Sequence, residues 1–166
     1  MTAPAEFSRP LAVDRVGAAG LTQRIEATPA ECAALAGRLG VPGVPAFAAT
    51  FRLSRGEAGR IAAQGRLEGR LVRDCVVTLD PFEAPVAEDF AVAFVPEESL
   101  GEAIDLEGED EIPYAGNTID LGEAAAEQLA LTLDPYPRRP GAELPAEAME
   151  APGSPFAALA RRRPAP

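Results

Sequence analysis

The sequence predicts an α+β fold: a mostly antiparallel, strongly bent sheet with two main helices, a long acidic loop and a partly disordered C-terminal tail. Three observations carry this reading. Apolar and polar residues alternate strictly through Ile61–Leu71, the pattern of a half-buried strand with one wet face. Thr28–Leu39 and Asp120–Leu133 each open on a helix-start signal and continue with apolar residues at helical spacing. Seventeen prolines and fifteen glycines divide the 166 residues into short segments. Residues 1–142 read as one domain and residues 143–166 as a tail.

In chain order, Glu6–Val13 reads as a short strand whose Pro10 suits an edge or an end. Thr22–Ala27 reads as a second strand. Thr28-Pro29-Ala30-Glu31 then supplies a capping residue, a proline at the first helical position and a glutamate at the third. This helix runs to about Leu39, and Gly40 fits its left-handed C-terminal position. Cys32 within it reads as a small buried hydrophobe. Val41–Pro45 is a turn-rich connector, Phe47–Ser54 a strand, and Arg55–Gly59 a hairpin-type loop.

On the long strand, Ile61, Ala63, Leu67 and Leu71 share one face, and Arg60, Gln64, Arg66, Glu68 and Arg70 the other. Gly65 and Gly69 hint at a bend or bulge. Cys75–Leu79 is expected to be extended, Asp80-Pro81 to turn, and Phe82–Val95 to supply a last strand or hairpin. Residues 96–116 form an acidic run without a period, read as a mobile loop. Asp120 caps the second helix, and Glu123 is expected to complete a capping-box-like pair. Leu121, Ala125, Leu129 and Leu133 form its stripe, with Ala124, Gln128 and Leu131 beside them. Asp134-Pro135-Tyr136-Pro137 stops it, and Arg138-Arg139-Pro140-Gly141 follows as a basic turn. In the tail, residues 154–159 form a compact apolar motif that could dock on the domain, ahead of Arg161-Arg162-Arg163.

Composition removes several chemistries. The chain has no histidine and no lysine, and two cysteines, Cys32 and Cys75. Histidine-dependent nucleophilic catalysis is excluded, and the usual four-ligand zinc set cannot be made. Glu107, Glu109, Asp110 and Glu111 lack the glycine and spacing of a calcium loop. No metal and no cofactor is expected. No apolar run reaches membrane-spanning length, and no secretory signal opens the chain. A cytoplasmic protein without membrane contact is therefore expected.

The net charge of −11 is unevenly placed. Residues 1–79 carry a balance of +3, residues 80–134 one of −16 without a single basic side chain, and residues 135–166 one of +2. Arg60, Arg66 and Arg70 on one strand face, with Arg73, Arg138 and Arg139, are the candidate contacts to a phosphate backbone. The plain alternative is a solvated face with Glu68 as an internal partner.

Several ordered segments resemble a known family. Cys75-Val76-Val77-Thr78-Leu79-Asp80-Pro81 looks like the cysteine–leucine–acid–proline signature of the YceD family, the large ribosomal RNA subunit accumulation proteins. Ile119-Asp120-Leu121-Gly122 resembles its second signature, which opens a leucine-rich helix. Asp134–Ala142 is similar to its alphaproteobacterial members. Ser154-Pro155-Phe156-Ala157-Ala158-Leu159 is similar to its closing motif. The resemblance spans residues 47–163 and marks Cys75, Leu79, Asp80, Pro81, Asp120, Leu121, Pro155 and Phe156 as motif positions. Thr78 stands where the family has a second cysteine, and Pro135–Gly141 replaces a cysteine-rich segment of some relatives, so no metal site carries over.

The resemblance implies a non-enzymatic ribosome-biogenesis factor supporting synthesis, processing or stability of large-subunit (23S) ribosomal RNA. Its partners would be precursor large-subunit RNA, a large-subunit ribosomal protein, or both. One alternative is an acidic interaction module that binds a basic ribosomal protein without RNA contact. Another is a carboxylate-dependent hydrolase with two acids converging in a pocket.

Overall fold

The computed structural model describes residues 5–99 and 110–144. The elements run β1 (Pro10–Ala12), β2 (Leu21–Glu26), α1 (Pro29–Leu39), β3 (Gly43–Arg55), β4 (Ile61–Asp74), β5 (Pro81–Pro96), β6 (Asp110–Tyr114), β7 (Thr118–Asp120) and α2 (Leu121–Leu131), with short 3-10 turns between some of them. The main sheet has the order β2-β3-β4-β5-β6, antiparallel except for the parallel β5–β6 pair. β1 and β7 form a separate antiparallel ribbon. This is the mostly antiparallel α+β architecture that the alternation and the two capped helices predict. No described helix is long and apolar enough to cross a membrane.

The core lies between one sheet face and the helices. Phe47, Ala49, Phe51 and Leu53 of β3 face inward with Ile61, Ala63, Leu67 and Leu71 of β4. Cys32 and Leu35 reach this cluster from α1, and Leu121, Ala125 and Leu129 from α2. Phe7 is fully buried and meets the Phe47 ring edge-on at 5.8 Å. Burial raises the thiol pKa of Cys32, as expected for a cysteine used as a hydrophobe.

Both caps form, but differently. Thr28 and Glu31 make the full reciprocal capping box, and Gly40 is left-handed at φ 62°. Asp120 accepts from the N–H groups of Gly122 and Glu123 at 2.9 and 3.1 Å. Glu123 does not reach back. Its carboxylate takes a two-pronged pair from Arg38 at 2.6 and 2.8 Å, joining α2 to α1. A charged fork of this kind outcompetes a neutral backbone N–H.

Several expected boundaries are corrected. The first strand contracts to Pro10–Ala12, and β3 begins at Gly43, with its irregular register between Gly43 and Ala46 absorbing Pro45. Cys75–Leu79 is a turn rather than a strand. The Cys75 N–H donates to the Asp80 carbonyl at 2.9 Å and the Leu79 N–H to the Cys75 carbonyl at 2.8 Å, reversing the chain so that Pro81 starts β5.

Gly65 and Gly69 mark no bulge, because β4 and β5 pair without interruption from Ile61–Phe94 to Asp74–Pro81. They leave room instead. A Cβ on Gly65 would lie 2.0 Å from the Phe90 ring, and one on Gly69 2.6 Å from the Ala46 carbonyl oxygen.

The acidic run is partly a strand. Asp110–Tyr114 forms β6, anchored where the Tyr114 hydroxyl donates to the Gly59 carbonyl at 2.7 Å. Ile119 belongs to β7, and α2 stops at Leu131 rather than Leu133. Residues 100–109 of the run, and the tail from residue 145 with its 154–159 motif, Pro155 and Phe156, lie outside the described residues.

Candidate functional site

The outer face of the main sheet collects arginines from three strands. Cross-strand pairing places Arg24, Thr50, Arg66 and Asp89 in one row, with Thr22, Arg52, Gln64 and Ala91 beside it and Glu26, Ala48, Glu68 and Ala87 on the other side. Strand periodicity of two sets this arrangement. The row lines a broad open trough of about 810 Å³.

Acids meet most of these arginines. Arg66 pairs with Asp89 at 2.8 Å and only distantly with Glu68, at 4.0 Å. Glu68 takes its close contact from Arg24, at 2.8 Å, and that hydrogen bond holds the Glu68 carboxyl below the usual carboxylate range. Arg70 meets Glu83 at 3.7 Å. Arg60 sits just before β4 and pairs with Glu111 on β6, so its side chain crosses the line of β5. Arg52 makes no ion pair among the described residues. The face is thus a zwitterionic lattice rather than a basic patch. Its pairs are exposed, so they are weak and can exchange for other anions.

The second cluster forms where two distant segments meet. The turn 75–80 between β4 and β5 docks on the chain that leaves α2. The Val76 N–H donates to the Pro137 carbonyl at 2.9 Å, and an Arg73 guanidinium nitrogen to the Asp134 carbonyl at 2.6 Å. Arg139 lies 3.8 Å from Asp80, and its backbone N–H points at the Cys75 sulfur at 3.4 Å. The proline-rich stop and the cysteine turn are therefore one structure.

Cys75 is 0% exposed. The Arg139 N–H, with the Thr78 hydroxyl and the N–H groups of Thr78 and Val77, lowers its thiol pKa to about 7 against the opposing effect of burial. Thr78 thus serves as a donor to this sulfur.

The outer surface of the junction is apolar and basic. Leu79, 79% exposed, and Val76 stand on the turn, and Tyr136, 70% exposed, stands on the segment that leaves α2. Leu79 holds φ at 61°, a conformation that costs an L-residue about 1–2 kcal/mol. Arg73 and Arg138 flank a small groove of about 200 Å³ that also involves Phe82, Val86 and Leu133. Arg138 makes no ion pair among the described residues.

Of the predicted contacts, Arg66 and Arg70 lie together on the sheet face. Arg60 is drawn toward β6, while Arg73, Arg138 and Arg139 gather at the junction with Cys75, Leu79, Asp80 and Pro81. Asp120 and Leu121 are structural: Asp120 caps α2 and accepts the Arg9 N–H at 2.7 Å, and Leu121 is buried. Sequence reasoning missed the exposure of Leu79 and Tyr136. The proline-bracketed Tyr136 and the apolar Val76-Val77 pair beside a turn were its signals.

Residues 63–160 match the family model described as "Large ribosomal RNA subunit accumulation protein YceD". The matched span includes most of β4, the cysteine turn, α2 and the basic turn after it. Comparison with curated proteins and with solved structures gave no match.

Proposed function

The chain belongs to the YceD family of large ribosomal RNA subunit accumulation proteins, and from that premise we propose that it supports ribosome biogenesis in the cytoplasm by binding rather than by catalysis. Its ligand in this reading is precursor large-subunit RNA, contacted at the junction of the cysteine turn with the α2 exit. The observation that carries the choice is the exposed Tyr136 on the same short segment as Arg138 and Arg139, a segment that Arg73 holds through the Asp134 carbonyl. An aromatic face can stack on a base while the guanidinium groups meet its phosphates.

The sheet face is the weaker contact in this scheme, because Arg66, Arg70 and Arg60 already have acidic partners. RNA phosphate would have to displace those acids, whereas Arg138 has none to displace among the described residues. The junction therefore supplies affinity, and the sheet face contributes mainly at low salt.

A binding titration of the full chain with large-subunit RNA fragments tests this. Replacing Arg138 and Arg139 by Gln is expected to lower the salt dependence of log K by about one per lost phosphate contact. Replacing Tyr136 by Ala is expected to cost roughly 1–3 kcal/mol of binding. Unchanged binding in both variants would place the RNA elsewhere. In cells lacking the protein, large-subunit precursors should accumulate or decay; normal subunit and precursor profiles would remove the biological role.

A further inference from the structure

An open groove of about 470 Å³ runs between edge strand β6 and helix α2. Asp110, Glu111 and Ile112 line it from the strand, and Glu127, Gln128 and Leu131 from the helix. Folding leaves several of these side chains unused. Leu131 is 71% exposed, although it lies beside the helix's apolar stripe. Asp110 and Glu127 make no ion pair among the described residues, whereas Arg60 holds Glu111 and Arg38 holds Glu123.

Gln128 provides an independent sign of a ligand. It is only 9% exposed, yet its amide makes no hydrogen bond among the described residues. No fully buried side-chain polar atom there lacks a partner, so the amide tip opens onto the groove that Gln128 lines. An amide presented in this way can pair with both an N–H and a C=O of an extended backbone. Burial and the neighbouring Glu123 raise the Glu127 carboxyl pKa, and an incoming cation would relieve that strain. Arg38 also lines the groove and is already committed to Glu6 and Glu123.

We propose that this groove binds a cationic segment of another protein, seating arginine or lysine on Asp110 and Glu127, an apolar side chain against Leu131 and Ile112, and a peptide group on the Gln128 amide. The choice of a cationic partner rests on the ribosomal reading above, because proteins that assemble on RNA must neutralise its phosphates. RNA itself is repelled by these acids. The groove and the junction thus divide the two kinds of ligand between separate surfaces.

The probe is a fluorescein-labelled peptide of alternating arginine and leucine, titrated into the full chain at physiological salt and followed by anisotropy. Saturable one-site binding is expected. Asp110→Asn combined with Glu127→Gln should weaken it about tenfold, as should Leu131→Ala alone. The exposed-acid control Glu57→Gln with Glu88→Gln should leave it unchanged.

Equal loss in the control, or no loss in the groove variants, overturns the proposal. So does equally tight binding of an arginine–serine peptide. If Phe156→Ala with Leu159→Ala tightens probe binding about tenfold, the chain's own tail is the occupant and the foreign partner is wrong. None of these arms contains RNA. A normal ribosomal RNA profile in cells lacking the protein would therefore remove the ribosomal reading without altering the probe result.

Discussion

The backbone N–H of Val76 donates to the carbonyl oxygen of Pro137 at 2.9 Å, fastening the hairpin turn to the segment that leaves α2. Around this bond the Cys75 sulfur receives the Arg139 N–H, and Arg139 faces Asp80. The junction is closed by hydrogen bonds and one ion pair. The clasp gives the exposed Leu79 and Tyr136 a fixed base.

The thiol of Cys75 should make stability depend on pH between about 7 and 9. Its folded pKa of about 7 lies below the ordinary 9.0. Between these values the unfolded chain binds more protons, so stability rises with pH, and the gain is lost as pH falls through about 7. Urea melts across this window should show the rise, and Cys75→Ser should flatten it. The chain has no histidine to blur the window. A slope retained in the serine variant would remove thiolate formation as its source.

Glu31 should dominate an acid-side transition. Its carboxyl pKa falls to about 2, first through the Arg9 hydrogen bonds at 2.7 and 2.9 Å and then through the Thr28 N–H. This contribution is present above the ordinary 4.5 and is lost as pH falls toward 2. Thermal melts from pH 5 to pH 2 (a range set by the two pKa values) should show a smaller loss in Glu31→Gln than in the parent. An equal loss would assign the transition to other carboxylates.

Gly122→Ala should destabilise the protein by about 1–3 kcal/mol, although alanine is the better helix former. The added Cβ would lie 2.5 Å from the Phe7 carbonyl oxygen and 2.9 Å from the Arg9 nitrogen. Both are backbone atoms beside the β1–β7 ribbon and cannot step aside. A denaturant midpoint at or above the parent value would show that the N-terminal segment yields.

Leu79→Gly should stabilise the fold by roughly 0.5–1 kcal/mol, the relief of its left-handed backbone less the entropy glycine adds to the unfolded chain. Little apolar burial is lost, because Leu79 is mostly exposed. If the side chain belongs to the RNA-binding surface, the same variant should bind RNA more weakly while melting higher. Gains in both properties would mark Leu79 as neither strained for function nor part of the contact.

Local chemistry made much of this protein legible. Thr28-Pro29-Ala30-Glu31 and Gly40 set the limits of α1 because a cap satisfies its own neighbours' backbone groups. The alternation of Ile61–Leu71 assigned the faces of β4 because side chains alternate whatever the partner strand. The ordered motifs from Cys75 to the tail pointed to the family. β6 was hidden within the acidic run because Asp110–Tyr114 pairs with β5 across more than ten residues of intervening chain. Its parallel partner leaves no local signature.

The sequence by itself determined the capped helices, the alternating strand, the missing histidine chemistry and the charge partition, all properties of neighbouring residues or simple totals. Only the tertiary structure decided that Glu123 serves Arg38 rather than its own cap, that Gly122 is there for a crossing backbone, and that Cys75 lies under Arg139, 64 residues away. Those outcomes depend on which distant groups arrive within bonding range, and that is set by packing the whole sheet against both helices.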